Sequence, residues 1–132
     1  MTQSISRISV LVRDHDEAIA FFVDQLGFDL LEDTQVTPSK RWVVIAPPGA
    51  SGCAVLLSKA SGDEQLQRVG NQTGGKVLLV LHTDSFDDDL ERLRRHNIKI
   101  VRGPSQEAWG RVVVYQDLYG NLWDLVERKG EA

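Results

Sequence analysis

Residues 8–28 read "ISVLVRDHDEAIAFFVDQLGF", and residues 76–98 read "KVLLVLHTDSFDDDLERLRRHNI". Each stretch begins with an apolar run typical of a β-strand and then changes to the residue spacing of an amphipathic helix. Asp14, followed by Glu17, predicts the start of the first helix, and Gly27 predicts a left-handed residue at its end. Shifting the chain by about 70 residues places Asp14 on Asp84 and Gly27 on Asn97, which indicates an internal repeat.

Three further strands are predicted after each helix. In the first half they cover about 28–33, 40–46 and 52–58, and in the second half about 98–102, 110–116 and 121–127. The fold class is therefore α+β, with two βαβββ modules forming a curved mixed sheet, a cup with the helices outside. The modules are expected at 1–60 and 76–132, joined by a polar, glycine-rich linker at 61–75 that contains a short helical turn.

Composition excludes several classes of protein. The 132 residues are 42% hydrophobic and 26% charged, as in an ordinary soluble domain, and the net charge of -4 argues against a nucleic-acid partner. No stretch has the length of a membrane span or the pattern of a signal peptide. Because Cys53 is the only cysteine, no disulfide forms within the chain, and we expect a cytoplasmic protein.

The doubled module resembles the plan of the vicinal oxygen chelate superfamily, which includes glyoxalase I, bleomycin-resistance proteins and extradiol dioxygenases. The stretch 8–28 is similar to the family's first strand and helix. The stretch 115–127, "YQDLYGNLWDLVE", is similar to its closing "DPDGN" turn and last strand, with Leu118 and Tyr119 in place of Pro and Asp. The resemblance implies a small-molecule site enclosed by the two modules and a homodimer that covers exposed sheet edges.

Metal-using members of this family carry ligands at four strand positions. Carried over by resemblance, the first-strand positions fall on Arg7 and Leu78, and the last-strand position of the second module falls on Asp124. The last strand of the first module, within 52–59, offers neither a carboxylate nor an imidazole. Since a guanidinium cannot bind a metal, the resemblance argues for the fold and against the usual metal site, and no cofactor is expected.

Five residues are candidates for contact with a ligand: Arg7, Trp42, His82, Trp109 and Asp124. Asp is a poor strand former, so Asp124 within an apolar strand needs a reason. Arg7 and Asp124 could form an ion pair across the former metal site, or Arg7 could hold an anionic group of a ligand. His82 is either a ligand-contacting imidazole or an exposed residue at a strand end.

The aromatic candidates have two interpretations as well. Trp42 and Trp109 either line an apolar cavity and stack on a planar ligand, or fill the core. Trp109 lies near the end of "GPSQEAWG" (103–110), which is polar and glycine-containing and is expected to be a loop flexible enough to act as a pocket lid. Trp123 is expected to pack beneath the helices, because it alternates with Asp124. His15 and His96 are expected on the surface.

Two functions follow from these observations. The first is a bleomycin-resistance-like protein that binds a small, anionic or aromatic molecule without the usual metal. The second is a lyase, isomerase or dioxygenase that uses a divalent metal held by His82, Asp124 and further donors that the sequence does not identify. The first predicts binding without turnover, and the second predicts one metal per chain. A module with a filled pocket and a structural or regulatory role is a third interpretation.

Overall fold

The computed structural model describes residues 1–49 and 52–128, and it divides the chain into two compact units, Met1–Val69 and Gly70–Ala132. Each unit holds one four-stranded mixed sheet, which confirms the α+β prediction and the two similar modules. Among the described helices, none is long and apolar enough to span a membrane.

The first unit contains strands β1 (Arg7–Val12), β2 (Asp29–Thr37), β3 (Lys40–Ala46) and β4 (Ala54–Lys59). Their order in the sheet is β1-β4-β3-β2, with β1 parallel to β4 and the other pairs antiparallel. Helix α1 (His15–Ile19) follows β1, and helix α2 (Gly62–Arg68) follows β4 within the stretch predicted as a linker.

The second unit repeats this arrangement. Its strands are β5 (Val77–Thr83), β6 (Ile100–Glu107), β7 (Gly110–Gln116) and β8 (Leu122–Glu127), in the order β5-β8-β7-β6, and its helix is α3 (Phe86–Arg95). Again the first and last strands are parallel and the other pairs are antiparallel. The sequence repeat is therefore a repeat of topology.

The predicted helix ends are confirmed. Asp14 caps α1 by accepting the backbone N–H of Glu17 at 2.8 Å. Gly27 has a φ of 81°, and Asn97 takes the corresponding left-handed conformation with a φ of 55°. After Ile19 the helix continues with π-helical geometry over Ala20–Gln25. This wider turn brings Phe21 and Phe22 into the core.

The prediction of a flexible loop at 103–110 is wrong. Residues up to Glu107 belong to β6, and only Ala108 and Trp109 form the turn to β7. β6 is an edge strand. A proline is tolerated there because no neighbouring strand on its open side needs the N–H that proline lacks. Two register shifts against β7 accommodate the irregular sequence around Gly103 and Pro104.

The expectation that His15 lies on the surface is also wrong. Its side chain is buried in the first turn of α1, and Nε2 donates to the carbonyl oxygen of Leu57 at 3.1 Å. The imidazole therefore ties α1 to β4. His96 at the end of α3 is half-buried.

Candidate functional site

One face of the first sheet carries an apolar cluster. Val44, Ala46 and Ala54 are buried there, with Trp42 and Leu56 packed against them. The register pairs Val44 with Leu56, so the cluster spans β3 and β4. We call this surface, together with Arg7, the Trp42 face.

Two cations lie beside the indole of Trp42. Arg7 Cζ and Lys40 Nζ are each 6.0 Å from the centroid of the ring, at the outer limit of a cation–π contact. Arg7 begins β1 opposite Ala54, and Lys40 begins β3 two residues before Trp42. Lys40 shares a face with Trp42, since residues i and i+2 of a strand lie on the same face. Arg7 shares a face with Ala54, its partner across the strands. Both cations therefore border the apolar cluster.

Neither of these cations is neutralised within its own unit. Among the residues described between Met1 and Val69, no carboxylate forms a salt bridge with Arg7 or Lys40. Glu32 lies on β2 opposite Val44, and its carboxylate accepts the hydroxyl proton of Thr34 at 3.3 Å. The Trp42 face therefore combines an apolar floor, an indole and two exposed cations with one carboxylate.

Arg41 differs from these two cations although it directly follows Lys40 in the sequence. It donates to both oxygens of Asp33 at 2.8 and 2.9 Å, and it forms a salt bridge with Asp16 of α1 at 2.9 Å. These hydrogen bonds raise the pKa of Arg41, and the bond from Arg41 lowers the pKa of Asp33. Arg41 thus links α1 to the sheet through these two carboxylates.

Arg111 plays the corresponding part in the second unit. It forms salt bridges with Asp87 of α3 at 2.8 Å and with Glu127 of β8 at 3.0 Å, and its Cζ lies 4.6 Å from the ring of Phe86. Hydrogen bonding to Arg111 lowers the pKa of Asp87. We call Arg41 and Arg111, each bound to two carboxylates, the arginine clamps. Neither was predicted from the sequence, and the signal that could have found them is their spacing of 70 residues, the period of the repeat.

Asp124 lies on one face of the second sheet, whereas the buried residues Trp123 and Leu125 on either side of it in the sequence lie on the other face. The register places it between Val80 of β5 and Val114 of β7, and Val126 follows on the same face. Trp123 points to the other side, is fully buried as predicted and stacks on Tyr115 with centroids 6.2 Å apart. We call the surface formed by Val80, His82, Val112, Val114, Asp124 and Val126 the Asp124 face.

The carboxylate of Asp124 is half-buried, and no side chain described between Gly70 and Arg128 forms a hydrogen bond or salt bridge with it. His82 is exposed and pairs with Val126, so it shares this face with Asp124 at a diagonal position. Leu78 lies at the register shift between Val77 and Leu79, outside the regular pairing. The pairing of Arg7 with Asp124 stays a prediction, because the two residues belong to different units.

The turn before β8 sets the position of Asp124. Asp117 is buried, and its Oδ1 accepts the backbone N–H groups of Tyr119, Gly120 and Asn121 at 2.9 to 3.0 Å. Its Oδ2 accepts from Asn121 Nδ2 at 3.1 Å and from Trp123 Nε1 at 3.0 Å. One carboxylate therefore fixes both the turn and the start of the strand that carries Asp124.

Trp109 stands at the tip of the β6–β7 hairpin. Its side chain is 56% exposed, so it is not a core residue. An indole with this exposure is available to a ligand or to another surface. Within the second unit, Trp109 is not one of the residues of the Asp124 face.

The Asp124 face offers two side chains that could bind a divalent metal. Among residues 1–49 and 52–128, no group of three or more His, Cys, Asp or Glu side chains is arranged to hold an ion. His82 and Asp124 supply two donors on one face, whereas protein metal sites use three or more converging ligands. These two donors alone do not complete a metal site.

Comparison with known proteins agrees with this architecture. The family model described as the Glyoxalase/Bleomycin resistance protein/Dioxygenase superfamily matches residues 4–125. The chain belongs to this superfamily. An uncharacterized protein of Shewanella frigidimarina is 52% identical over 128 residues, covering 96% of this chain and 95% of that protein.

Two solved structures show the same fold. TnmS3, an antibiotic binding protein from Streptomyces sp. CB03234, has a TM-score of 0.78 at 30% identity, covering 97% of this chain and 98% of that one. UcmS2 has a TM-score of 0.82 at 26% identity, covering 96% and 98%. This superfamily member is thus similar over nearly its whole length to a protein that binds an antibiotic.

Proposed function

We propose that this superfamily member binds a small organic molecule reversibly, without a metal and without chemical turnover. The observation that carries the proposal is the Trp42 face, where Arg7 and Trp42 border an apolar cluster. Ligand sites are mostly apolar with a few fixed polar groups. The similarity to TnmS3, which is described as an antibiotic binding protein, supports binding rather than catalysis.

The residues have distinct parts in this proposal. Trp42 offers a flat apolar surface for stacking, and Arg7 offers a guanidinium that can bind a negatively charged or carbonyl group with two hydrogen bonds. We propose that His82, Trp109 and Asp124 of the second unit also contact ligand, with Asp124 as acceptor for a donor group. We further propose a homodimer in the cytoplasm.

A metal-dependent lyase, isomerase or dioxygenase is the second candidate. It is favoured by one observation, the shared face of His82 and Asp124 on the parallel strands β5 and β8. This candidate needs further donors to complete a metal site. It predicts that added metal stabilises the protein and that Asp124→Ala abolishes the effect.

Metal content and thermal stability separate the two candidates. Protein purified without a metal-affinity tag is assayed for bound metal, and its Tm is measured with EDTA and with added Mn, Fe, Ni, Co or Zn. A ligand that binds only the folded state must raise the Tm. The proposal expects no stoichiometric metal and no shift, whereas about one metal per chain with a clear rise in Tm would establish the second candidate.

Turnover is tested with the same preparation. Polycyclic aromatic antibiotics and simple aromatic acids are screened for a rise in Tm in EDTA, and each compound that binds is incubated with the protein and analysed by mass spectrometry. We expect binders to be recovered unchanged. A product that accumulates beyond the amount of protein present would contradict the proposal.

A further inference from the structure

The charged side chains on the Trp42 face indicate which charge a ligand of this face should carry, which membership of the superfamily does not indicate. The chain as a whole has a net charge of -4. Arg7 and Lys40 nevertheless lie equally close to one indole, each 6.0 Å from its centroid. Against these two cations the face carries the carboxylate of Glu32, which already accepts the hydroxyl proton of Thr34. The local balance is therefore positive beside an apolar surface.

The arginine clamps, Arg41 and Arg111, show how an arginine with a structural role is bound in this protein. Arg41 and Arg111 each bind two carboxylates, and Arg111 packs 4.6 Å from an aromatic ring. Arg7 and Lys40 have no such partner among the described residues of the first unit and stand farther from their ring. Within the described part of the first unit, no carboxylate forms a salt bridge with either of them.

We propose that the ligand of the Trp42 face is a planar aromatic anion, and that Lys40 is a second residue that selects it. An aromatic ring stacks on the indole of Trp42, and its carboxylate, sulfonate or phenolate group lies within reach of Arg7 and Lys40. This inference rests on the proposed function. It adds the charge of the ligand and a binding residue, Lys40, at the start of β3.

The test compares two probes with the same aromatic skeleton and different charge. 1-Anilinonaphthalene-8-sulfonate is an anion, and N-phenyl-1-naphthylamine is its neutral counterpart. Probe fluorescence is titrated in EDTA with the wild-type protein, Lys40→Gln, Arg7→Gln and Trp42→Ala. Lys99→Gln and Arg68→Gln make the same charge changes at exposed positions outside the face, and a Tm measurement verifies that each variant is folded.

The proposal makes a charge-dependent prediction for these titrations. Wild type binds the anionic probe at least about tenfold more tightly than the neutral one, and Trp42→Ala removes the binding of both. Lys40→Gln and Arg7→Gln each weaken the anionic probe about three- to tenfold and leave the neutral probe unchanged. Added salt weakens the anionic probe alone, because it screens exposed charges. The two control variants behave like wild type.

Contrary outcomes separate this inference from the proposed function. If both probes bind with equal affinity and only Trp42→Ala weakens them, the face binds aromatic molecules and the charge selection is wrong. If the control variants weaken the anionic probe as much as Lys40→Gln does, the effect is general and the role of Lys40 is wrong. If neither probe depends on Trp42, the proposed function fails at this face together with the inference.

Discussion

Trp123 donates its indole N–H to Asp117 Oδ2 at 3.0 Å, and this bond joins the β7–β8 turn to the fully buried core of the second unit. The same carboxylate accepts three backbone N–H groups of the turn. Asp117 is thus the residue on which the position of β8, and with it Asp124, depends.

Replacing Asp117 by Ala is therefore expected to lower the free energy of unfolding by about 3–5 kcal/mol, because several donors lose their acceptor in a buried place. Urea unfolding measures the change. Asp24→Ala, at an exposed position of the first unit, is the control and should stay within about 0.5 kcal/mol of wild type. A loss below about 1 kcal/mol for Asp117→Ala would mean that water replaces the carboxylate and that the network is not structural.

Gly70 is held against the β7–β8 turn. A Cβ at this residue would lie 1.8 Å from the carbonyl oxygen of Tyr119, and its φ is +78°. Gly74 has a similar φ of +71° and nothing within 4 Å. Gly74→Ala should cost about 1 kcal/mol for the left-handed conformation alone. Gly70→Ala should cost at least about 2 kcal/mol more, since backbone must move. Equal losses in urea unfolding would contradict this close approach.

The burial of Tyr115 is expected to make the free energy of unfolding fall at alkaline pH. Burial raises its pKa above the ordinary value of 10.0, and Asp117 and Asp89 add to the effect. A raised pKa in the folded state gives stability that is present below the unfolded value and is lost as the pH rises above about 10. Tyr115→Phe should remove this loss, seen as a shallower fall of the unfolding free energy between about pH 9 and 11. A tyrosinate absorbance that assigns Tyr115 an ordinary pKa while the circular dichroism stays native would contradict it.

Asp124 tests whether a poor strand former is retained for function. It lies between Val80 and Val114 and has no partner among the described residues of its unit. Asp124→Val should raise the free energy of unfolding by up to about 1 kcal/mol, because Val suits the strand and its neighbours better. Asp124→Asn keeps the shape and should change stability little. If Asp124→Val instead costs more than about 2 kcal/mol, the carboxylate has a structural ion partner, and its pairing with Arg7 becomes the better account.

The local signals that predicted the fold are strong ones. Asp14, Gly27 and Asn97 mark helix ends by backbone chemistry that depends on few neighbours, and they were placed correctly. The repeat, together with the resemblance, then predicted two βαβββ modules. The edge strands β2 and β6 were predicted too short, since they are exposed and lack the apolar alternation that identifies a half-buried strand.

The candidate site was predictable only in part. Arg7 was identified from the resemblance, and Trp42 because aromatic residues are few in this chain. Lys40 was not identified, although its spacing of two from Trp42 is the signal for a shared face. The arginine clamps and the burial of His15 depend on contacts between a helix and a strand that are distant in sequence. Such contacts leave no periodic pattern in a single sequence.

Binding of an aromatic molecule by the metal-free protein is the central claim, and one titration tests it most directly. EDTA-treated wild type is titrated with 1-anilinonaphthalene-8-sulfonate while the fluorescence of the probe is recorded, with Trp42→Ala and Lys99→Gln measured in parallel. The account predicts saturable binding of about one probe per chain that is lost in Trp42→Ala and kept in Lys99→Gln. Binding that requires added metal, or binding that survives in Trp42→Ala, would contradict it.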